Sequence, residues 1–381
     1  MPSALIHARV LTPQGWRDDI AVLLEGGGIV DLLPVADPRV AQATTVDLRG
    51  AMLVPGFIDV QVNGGGGVLF NAAPKVNTLR AMVAAHRRFG TTGLLPTLIS
   101  DDPTVMRVAL AAVEQAMAEG VPGVLGIHLE GPFLAPSRKG VHDAHWFHDP
   151  DSAELALLCA PHRGVRVLTL APERVAPAVI HRLTEAGVIV CAGHTAADYA
   201  TTRAALDAGA RGFTHLFNAM TPLGSREPGV VGAALEDAQS WCGIIADGHH
   251  VHPATLRVAI RAKPRGKMML VTDAMPPVGA DEQRFVLNGE AISARDGVCR
   301  TGQGVLAGSV LDMATAVRNA VQLLGLPVDE AARMASTYPA DFLGLSATHG
   351  RIAAGFRADL VALDDTLRVQ RTWVAGTTDA R

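Results

Sequence analysis

The sequence predicts an α/β protein: a (β/α)8 TIM-like barrel with a small β-sandwich domain built from both chain termini. Two observations carry this prediction. Eight apolar runs of strand length alternate with amphipathic helices along the middle of the chain, and strand-and-turn patterns fill the first fifty residues and return after about residue 345. Repeated strand–helix alternation is typical of a parallel barrel. We therefore predict a small β domain from residues 1–52 and 346–381 and a barrel over residues 53–345.

The two terminal segments of the chain have the same sequence pattern. The first part of the chain contains ALIHARVLT, DIAVLLEGGGIVDLLPV and TTVDLRG, and the last part contains GRIAAGFRADLVALD and VQRTWVAG. Short apolar runs broken by Gly and Pro indicate antiparallel strands. The simplest arrangement pairs both ends of the chain in one small domain beside the barrel.

The eight barrel runs follow in order. They are LVPGFIDVQVNG, TTGLLPTLIS, VLGIHLEG, VRVLTLAPE, GVIVCAGHT, GFTHLFNAM, WCGIIADGHHV and MMLVTDAM. Their nearly continuous apolar character is expected of parallel strands that are buried on both faces. An open, doubly wound sheet is the alternative, but no GxGxxG turn follows an early strand.

The connecting segments carry helix signals. Residues 101–103, Asp-Asp-Pro, offer a cap and a first-turn proline for a helix that ends at Gly120. Residues 195–198 resemble a capping box with Asp in place of Glu. Pro253 is placed to open the helix ATLRVAIRAK.

The composition is that of an ordinary soluble globular protein. Of 381 residues, 49% are apolar and 18% are charged, and the net charge of −4 argues against a nucleic-acid partner. The longest uncharged stretch, residues 60–74, is rich in Gly and Asn and does not suit a membrane span. The start of the chain lacks the pattern of a secretory signal, and four scattered cysteines form no CxxC pair. We therefore expect a cytoplasmic protein without a membrane partner.

Four polar residues stand at the ends of apolar runs: Glu130 in GIHLEGP, His194 in VIVCAGHT, His215 in GFTHLFNAM and Asp273 in MLVTDAM. The carboxyl ends of barrel strands all face one mouth. A carboxylate and two imidazoles suit a catalytic zinc that keeps one position open for water. A separate aspartate can then move the proton of that water. The sequence therefore predicts a hydrolytic metal centre.

Each of these residues also has a structural explanation. Glu130 would be buried as an ion pair with an arginine, and either histidine would be an ordinary core residue. Asp273 would cap a following helix. The order Glu, His, His on successive strand ends favours the metal interpretation. The glycine-rich loop Gly64–Gly67 lacks the spacing of a phosphate-binding P-loop, and close backbone packing explains it better.

A longer set of motifs identifies a family. PGFIDVQVNG, HLEGPF, KGVH, LAPE, AGHT, THLFNAM, REPG, IIADGHH, VTDA, LAGS and a closing GxIxxGxxADL occur in this order. In this order they resemble the amidohydrolase superfamily and, within it, the N-acetylglucosamine-6-phosphate deacetylases. The resemblance covers essentially the whole chain. It implies release of acetate from N-acetylglucosamine 6-phosphate to give glucosamine 6-phosphate, with metal-activated water attacking the amide.

The resemblance also implies roles for individual residues. Glu130, His194 and His215 would hold the metal, Asp273 would be the acid/base, and His142 would polarise the amide carbonyl. A homodimer is implied, in which Arg226 and His250 reach the neighbouring subunit's site, although a surface role for Arg226 stays open. The full set of implied substrate contacts is His142, Asn218, Ala219, Arg226, His250, Leu306, Ala307 and Gly308.

One departure bears on the number of metal ions. Many amidohydrolases carry His-x-His at the end of the first barrel strand to hold a second metal, and this chain has Gln61 and Asn63 there. Neutral amides are poor zinc ligands. A bridging carbamylated lysine is also excluded, since no lysine lies between Lys139 and Lys263. We predict one divalent metal per subunit, zinc first, with iron, cobalt or manganese as alternatives, and a second-metal position that is vacant or serves only to support the first site.

Two rival functions remain open at this point. One is a different amidohydrolase, such as a cyclic amide hydrolase or a deaminase, which usually relies on His-x-His or the lysine carbamate. The other is a non-catalytic barrel relative, which would typically have lost metal ligands.

Overall fold

The structure, a computed structural model, describes residues 2–378. Residues 1 and 379–381, which fall in the predicted small β domain, lie outside the described residues. The first strands are β1 Ser3–Ile6, β2 Arg9–Thr12, β3 Gly15–Arg17, β4 Ile20–Glu25, β5 Gly28–Pro34, β6 Thr44–Asp47 and β7 Met52–Pro55. The middle strands are β8 Phe57–Val62, β9 Gly64–Gly65, β10 Val68–Leu69, β11 Thr91–Ile99, β12 Gly126–Glu130, β13 Val165–Leu170, β14 Ile189–Ala192, β15 Gly212–Phe213, β16 Trp241–Ile245 and β17 Met268–Val271. The last strands are β18 Arg284–Leu287, β19 Glu290–Arg295, β20 Val298–Arg300, β21 Leu306–Ser309, β22 Leu360–Leu363 and β23 Val369–Trp373.

The barrel prediction is confirmed. Strands β8 and β11 to β17 form one eight-stranded parallel sheet in chain order. Its two edges meet at the carboxyl end, where the Asp273 N–H donates to the Gln61 carbonyl over 3.0 Å and Val62 bridges Ala274. Each predicted apolar run contains one of these strands. The closure brings the first and last strands together beside Asp273.

The small β-sandwich domain is also confirmed. One sheet has the strand order β5-β4-β1-β6 and the other β23-β22-β7-β2-β3, so both chain ends contribute. Apolar residues from both ends, such as Leu5, Val22, Leu53, Leu360 and Trp373, form its core. Strand β7 straddles the predicted domain boundary at residue 52 and pairs with β2 and β22. The division at residues 52 and 346 stays a proposal.

Among the described residues, the first helix packs in the small β domain and the other helices belong to the barrel region. The helices are α1 Pro38–Ala41, α2 Val76–Arg87, α3 Pro103–Ala118, α4 Ser152–Leu158, α5 Pro177–Glu185, α6 Tyr199–Asp207, α7 Gly229–Glu236, α8 Pro253–Ala262, α9 Met313–Gln322, α10 Val328–Ala335 and α11 Thr337–Phe342. Within residues 2–378, none of them is long and apolar enough to cross a membrane.

Two helix starts agree with the sequence, and one does not. The Asp102 side chain accepts from the Thr104 N–H at the start of α3, and Pro253 opens α8. The capping box predicted at residues 195–198 is wrong. Asp198 is itself the N-cap of α6 and accepts from the Thr201 N–H. The Thr195 hydroxyl instead donates to Glu173, because the chain between Thr195 and Asp198 is not helical.

A four-stranded antiparallel sheet, β18 to β21, was not predicted. It follows the last barrel strand and lies at the barrel mouth, where β21 bridges Ala274 through Ser309. The missed signals are two hairpin dipeptides, Asn288-Gly289 and Asp296-Gly297. All four residues have positive φ, as a type I′ turn requires. We call β18 to β21 the mouth sheet.

Candidate active site

Three predicted metal ligands converge at the barrel mouth. Glu130 ends β12, and His194 and His215 follow β14 and β15. Glu130 Oε1 lies 3.0 Å from His194 Nε2 and 2.9 Å from His215 Nε2, and the two Nε2 atoms are 3.1 Å apart. All three side chains are buried. Glu130 therefore pairs with two imidazoles and the Gln61 amide, and an arginine ion pair does not account for its burial.

The hydrogen bonding of His194 tests whether this triad suits a cation. Its Nδ1 lies 2.8 Å from the Arg138 carbonyl oxygen, so Nδ1 carries the proton. In the neutral ring, Nε2 then presents a lone pair toward Glu130 and His215. Lone pairs and a carboxylate facing one another repel unless a cation or a proton lies between them. The donor set, two Nε2 atoms and one carboxylate oxygen, fits a divalent metal.

The charges within the triad shift its proton affinities. Burial alone raises the pKa of Glu130, but hydrogen bonds and charge from His194 and His215 outweigh burial and hold this pKa well below its usual value. Burial lowers the pKa of His215, and its bond to Glu130 more than reverses that effect, so the pKa is raised. Glu130 is thus kept as the carboxylate that metal binding needs.

The backbone at the site is unusual. His194, His215 and Asp273 have φ values of 48°, 31° and 52°, in the left-handed region that ordinary residues rarely occupy. Each lies two residues after the end of a barrel strand. Such conformations cost about 1–3 kcal/mol each and concentrate at functional sites. The turn at each strand end aims the side chain across the mouth.

Asp273 lies beside the triad, held by two amides. Its Oδ1 accepts from Asn63 Nδ2 over 2.6 Å and from Gln61 Nε2 over 3.2 Å. Gln61 Nε2 also donates to Glu130 Oε2 over 3.1 Å. Burial, and then the Glu130 charge, raise the pKa of Asp273 to about 6. No helix starts after Asp273 until α9, so helix capping does not explain this residue.

His142 faces the same space from a loop. Its Nδ1 accepts from the Ser100 N–H over 3.3 Å, which places the proton of the neutral ring on Nε2. Burial and the nearby His194 lower the pKa of His142 to about 3, so the ring is neutral. Its Nε2 lies 3.9 Å from Glu130 Oε1. A neutral Nε2–H is a hydrogen-bond donor suited to a carbonyl oxygen.

One loop ties His142 to the triad. The Arg138 carbonyl holds His194, and at Gly140, where φ is +57°, an added Cβ would lie 3.2 Å from the His194 ring. Ser100, Arg138 and Gly140 were not predicted as site residues. Their contacts join positions about 40 to 60 residues apart, and motif spacing does not show such contacts.

A cavity of about 250 Å³ connects these residues. The predicted residues that line it are Asn63, Glu130, His142, His194, His215, Asn218, Ala219, His250, Asp273, Leu306 and Gly308. Gln61 lies behind it, Ala307 is fully buried, and Arg226 is exposed on the loop before α7. The structure therefore gathers most of the predicted set and leaves these three residues outside the lining.

The cavity has a polar end and an apolar wall. At the polar end, His250 Nδ1 donates to the Asp247 carboxylate over 2.6 Å, and Asn218 Nδ2 donates to the His215 carbonyl over 3.1 Å. The apolar wall was not predicted. Its side chains come from the barrel mouth and the mouth sheet, and they are Leu69, Ile99, Met275, Leu287 and Val305.

Comparisons with known proteins identify the family of the chain. The model of the amidohydrolase family matches residues 52–379. The N-acetylgalactosamine-6-phosphate deacetylase of Shewanella sp. (strain ANA-3) is 46% identical, over 97% of this chain and 94% of that protein. The N-acetylglucosamine-6-phosphate deacetylase of Mus musculus is 40% identical, over 94% of this chain and 91% of that protein.

A solved structure is similar over nearly the whole fold. It is a mutant N-acetyl-D-glucosamine-6-phosphate deacetylase of Mycobacterium smegmatis in complex with N-acetyl-D-glucosamine-6-phosphate. It is 37% identical, covers 99% of each chain and has a TM-score of 0.91. Together with the family match and the curated relatives, this likeness shows that the chain belongs to the amidohydrolase family.

Proposed function

We propose that the chain deacetylates N-acetylglucosamine 6-phosphate, giving glucosamine 6-phosphate and acetate. One observation carries the proposal: a buried Glu130-His194-His215 cluster, an aspartate and a neutral histidine face a single cavity. The two relatives described above are named as deacetylases of N-acetylated hexosamine 6-phosphates. N-acetylgalactosamine 6-phosphate is the second candidate substrate, because the Shewanella relative, at 46% identity, bears that name.

The metal site is the first part of the proposed mechanism. Glu130, His194 and His215 would hold one divalent ion, for which we propose zinc, with iron, cobalt and manganese as alternatives. When bound, the ion supplies a Lewis acid and activates water near neutral pH. Gln61 and Asn63 would then serve Asp273 and not a second ion, since both amides donate to its Oδ1.

Proton transfer is assigned to Asp273. As a carboxylate it would take a proton from the attacking water, and as a carboxylic acid it would return that proton to the leaving nitrogen. A pKa of about 6 suits a group that must do both near neutral pH. His142 would donate from Nε2 to the carbonyl oxygen as negative charge develops there. The apolar wall would receive the acetyl methyl group.

Phosphate recognition is a further part of the proposal. Among the described residues, no lysine or arginine lines the cavity, whose polar end offers His250, Asn218 and Ala219. We propose a homodimer in which Arg226 reaches the neighbouring site, whereas His250, which was expected to cross with it, lines the cavity of its own subunit. Arg226 and the nearby Leu223, which is 58% exposed, lie on one exposed loop. A planar guanidinium matches phosphate oxygens in two places.

Acetate release is the direct test. Purified protein is stripped with a chelator, restored with zinc, iron, cobalt or manganese in turn, and assayed on both acetylated hexosamine 6-phosphates. We expect activity to disappear and to return with one equivalent of metal per subunit. Ammonia release in place of acetate would favour a deaminase, and protein that neither binds metal nor turns over would favour a non-catalytic relative.

Arg226→Ala tests the dimer and phosphate assignments. The substitution should reduce kcat/KM on the phosphorylated sugar at least tenfold more than on the unphosphorylated sugar, since a charged hydrogen bond is lost. Equal losses on both sugars would reject the phosphate role.

Sedimentation would test the dimer, and cell fractionation would test a cytoplasmic location, which we propose from the sequence and the phosphorylated substrate.

A further inference from the structure

One buried acceptor in the cavity has no partner. Asn63 is 3% exposed and lines the cavity, and its Oδ1 makes no hydrogen bond within the described residues. Its Nδ2, on the same carbon, donates to Asp273 Oδ1 over 2.6 Å. This contact fixes which way the amide faces, because the flipped amide would place its oxygen against the carboxylate.

A buried acceptor without a donor destabilises the protein unless water or a ligand supplies one. The candidate substrate has two kinds of donor, its hydroxyl groups and the N–H of the amide to be cleaved. The position of Asn63 distinguishes between the hydroxyl groups and the amide N–H. Its amide touches Asp273, and Asp273 must reach the amide nitrogen to protonate it. The group that fits beside both residues is that nitrogen.

We propose that Asn63 Oδ1 accepts a hydrogen bond from the N–H of the scissile amide. The inference rests on the proposed deacetylase function and assigns Asn63 a substrate contact. With its hydrogen directed to Asn63, the nitrogen turns its developing lone pair toward Asp273. The C–N bond then breaks, its electron pair stays on nitrogen, and nitrogen takes the proton of the Asp273 carboxyl. The products are the free amine and acetate.

Gln61 is a matched control within the same network. It is 1% exposed, and its Nε2 donates to the same Asp273 Oδ1 over 3.2 Å. It does not belong to the cavity lining. Replacing Gln61 therefore loosens Asp273 and Glu130 without removing a substrate contact, whereas replacing Asn63 loosens Asp273 and removes one.

The test compares two substrates in three variants. The substrates are the N-acetyl sugar phosphate and its oxygen ester, in which an oxygen atom replaces the N–H. The variants are Asn63→Ala, Asn63→Leu and Gln61→Ala. We expect both Asn63 variants to lower the amide-to-ester ratio of kcat/KM about tenfold or more, since a buried hydrogen bond is lost only with the amide. Gln61→Ala should lower both activities and leave the ratio within about twofold.

Metal content and melting temperature accompany the kinetics. The amide-to-ester ratio is compared only for variants that fold and keep their metal. If one Asn63 variant fails to fold, the other still tests the assignment. An amide-to-ester ratio that Asn63 and Gln61 variants change equally, or not at all, overturns the assignment while leaving the deacetylase function in place. A wild-type protein that releases no acetate from either hexosamine phosphate overturns the proposed function, and this inference with it.

Discussion

The two ends of the barrel bury charge in different ways. At the amino end, Lys263 is 3% exposed and its ammonium donates to the main-chain carbonyls of Ala234 and Asp237 and to the Ser240 hydroxyl. Arg166, at the start of β13, likewise donates to the Leu157 carbonyl over 3.1 Å. These cations close the carboxyl ends of α7 and α4, where carbonyls lack helical partners.

At the carboxyl end, buried charge faces other side chains around a cavity. Glu130 meets two imidazoles, and Asp273 meets two amides. The backbone there takes left-handed turns, and an acceptor on Asn63 is left without a partner. Buried charge with fixed main-chain partners stabilises the fold. Buried charge with side-chain partners around a cavity is arranged for chemistry, at some cost in stability.

The largest expected effect is on kcat, with little change in metal content or substrate affinity. Asp273→Asn should lower kcat by about a thousandfold or more, because general acid–base catalysis is worth roughly 10²–10⁴-fold and one group serves both steps. Metal content and substrate affinity should change little. Steady-state kinetics, metal analysis and calorimetry measure the three quantities. More than a tenth of the wild-type kcat in the variant would remove Asp273 from the mechanism.

A substitution at the amino end of the barrel should instead lower stability and leave activity nearly unchanged. Lys263→Met should lower the free energy of unfolding by about 3 kcal/mol, since three buried acceptors lose their donor. Its kcat/KM should stay within twofold. Lys267→Met is the control, because Lys267 is partly exposed and its ammonium contacts one exposed carbonyl, that of Gln239, and the Trp241 ring. Denaturant unfolding measures both, and equal losses would contradict the comparison.

Asp59 gives a pH-dependent test between the two ends. It is fully buried on β8, accepts from the Thr272 hydroxyl over 2.5 Å, and burial raises its pKa to about 7. Its ordinary value is 3.8, so the folded protein binds the proton more tightly, and stability falls as pH rises from about 4 to 7.

Asp59→Asn should remove that dependence. The amide stays neutral, so the variant should be about 2 kcal/mol more stable than wild type at pH 8, roughly half of the full linkage. At pH 4 the two should be nearly equal. Urea unfolding at both pH values measures the difference, and a variant that is less stable than wild type at pH 8 would contradict the raised pKa of Asp59.

The smallest effect concerns a polar residue near the mouth that has only a structural role. Asp198→Ala should lower stability by about 1 kcal/mol through loss of the α6 N-cap, with kcat/KM unchanged. Asp207→Ala, at the other end of the same helix, is the control and should cost less, because a carboxylate is unfavourable at a helix carboxyl end. Thermal unfolding compares the two. A larger loss for Asp207→Ala would count against the cap.

Local pattern predicted what depends on neighbours in the chain. The eight barrel strands and the starts of α3 and α8 were correct, because apolar runs and caps are local signals. The mouth sheet was not predicted although Asn288-Gly289 and Asp296-Gly297 are hairpin turns, because its strands are short and partly exposed and therefore have a weak apolar pattern. Thr195 was misread, since only the structure shows where α6 begins.

In the candidate active site, too, local pattern predicted some residues and missed those that depend on long-range contacts. Residue type and position at strand ends were enough to place Glu130, His194 and His215 near one another. The supports were not predictable, because Ser100 reaches His142 and the Arg138 carbonyl reaches His194 across long stretches of chain. The roles of these residues stay predictions until the variants are measured.

The mouth sheet has one consequence for engineering. Its strand β21 lines the cavity with Leu306 and Gly308, and at Ser309 its N–H donates to the Asp273 carbonyl over 2.9 Å. Gly308, at φ +64°, has no room for a Cβ, which would lie 2.9 Å from that same carbonyl. This part of the cavity lining is thus bonded to the backbone of the residue proposed to carry the proton. A library that changes β21 to admit bulkier acyl groups is therefore expected to shift Asp273 as well, so that breadth of substrate and speed of turnover would change together.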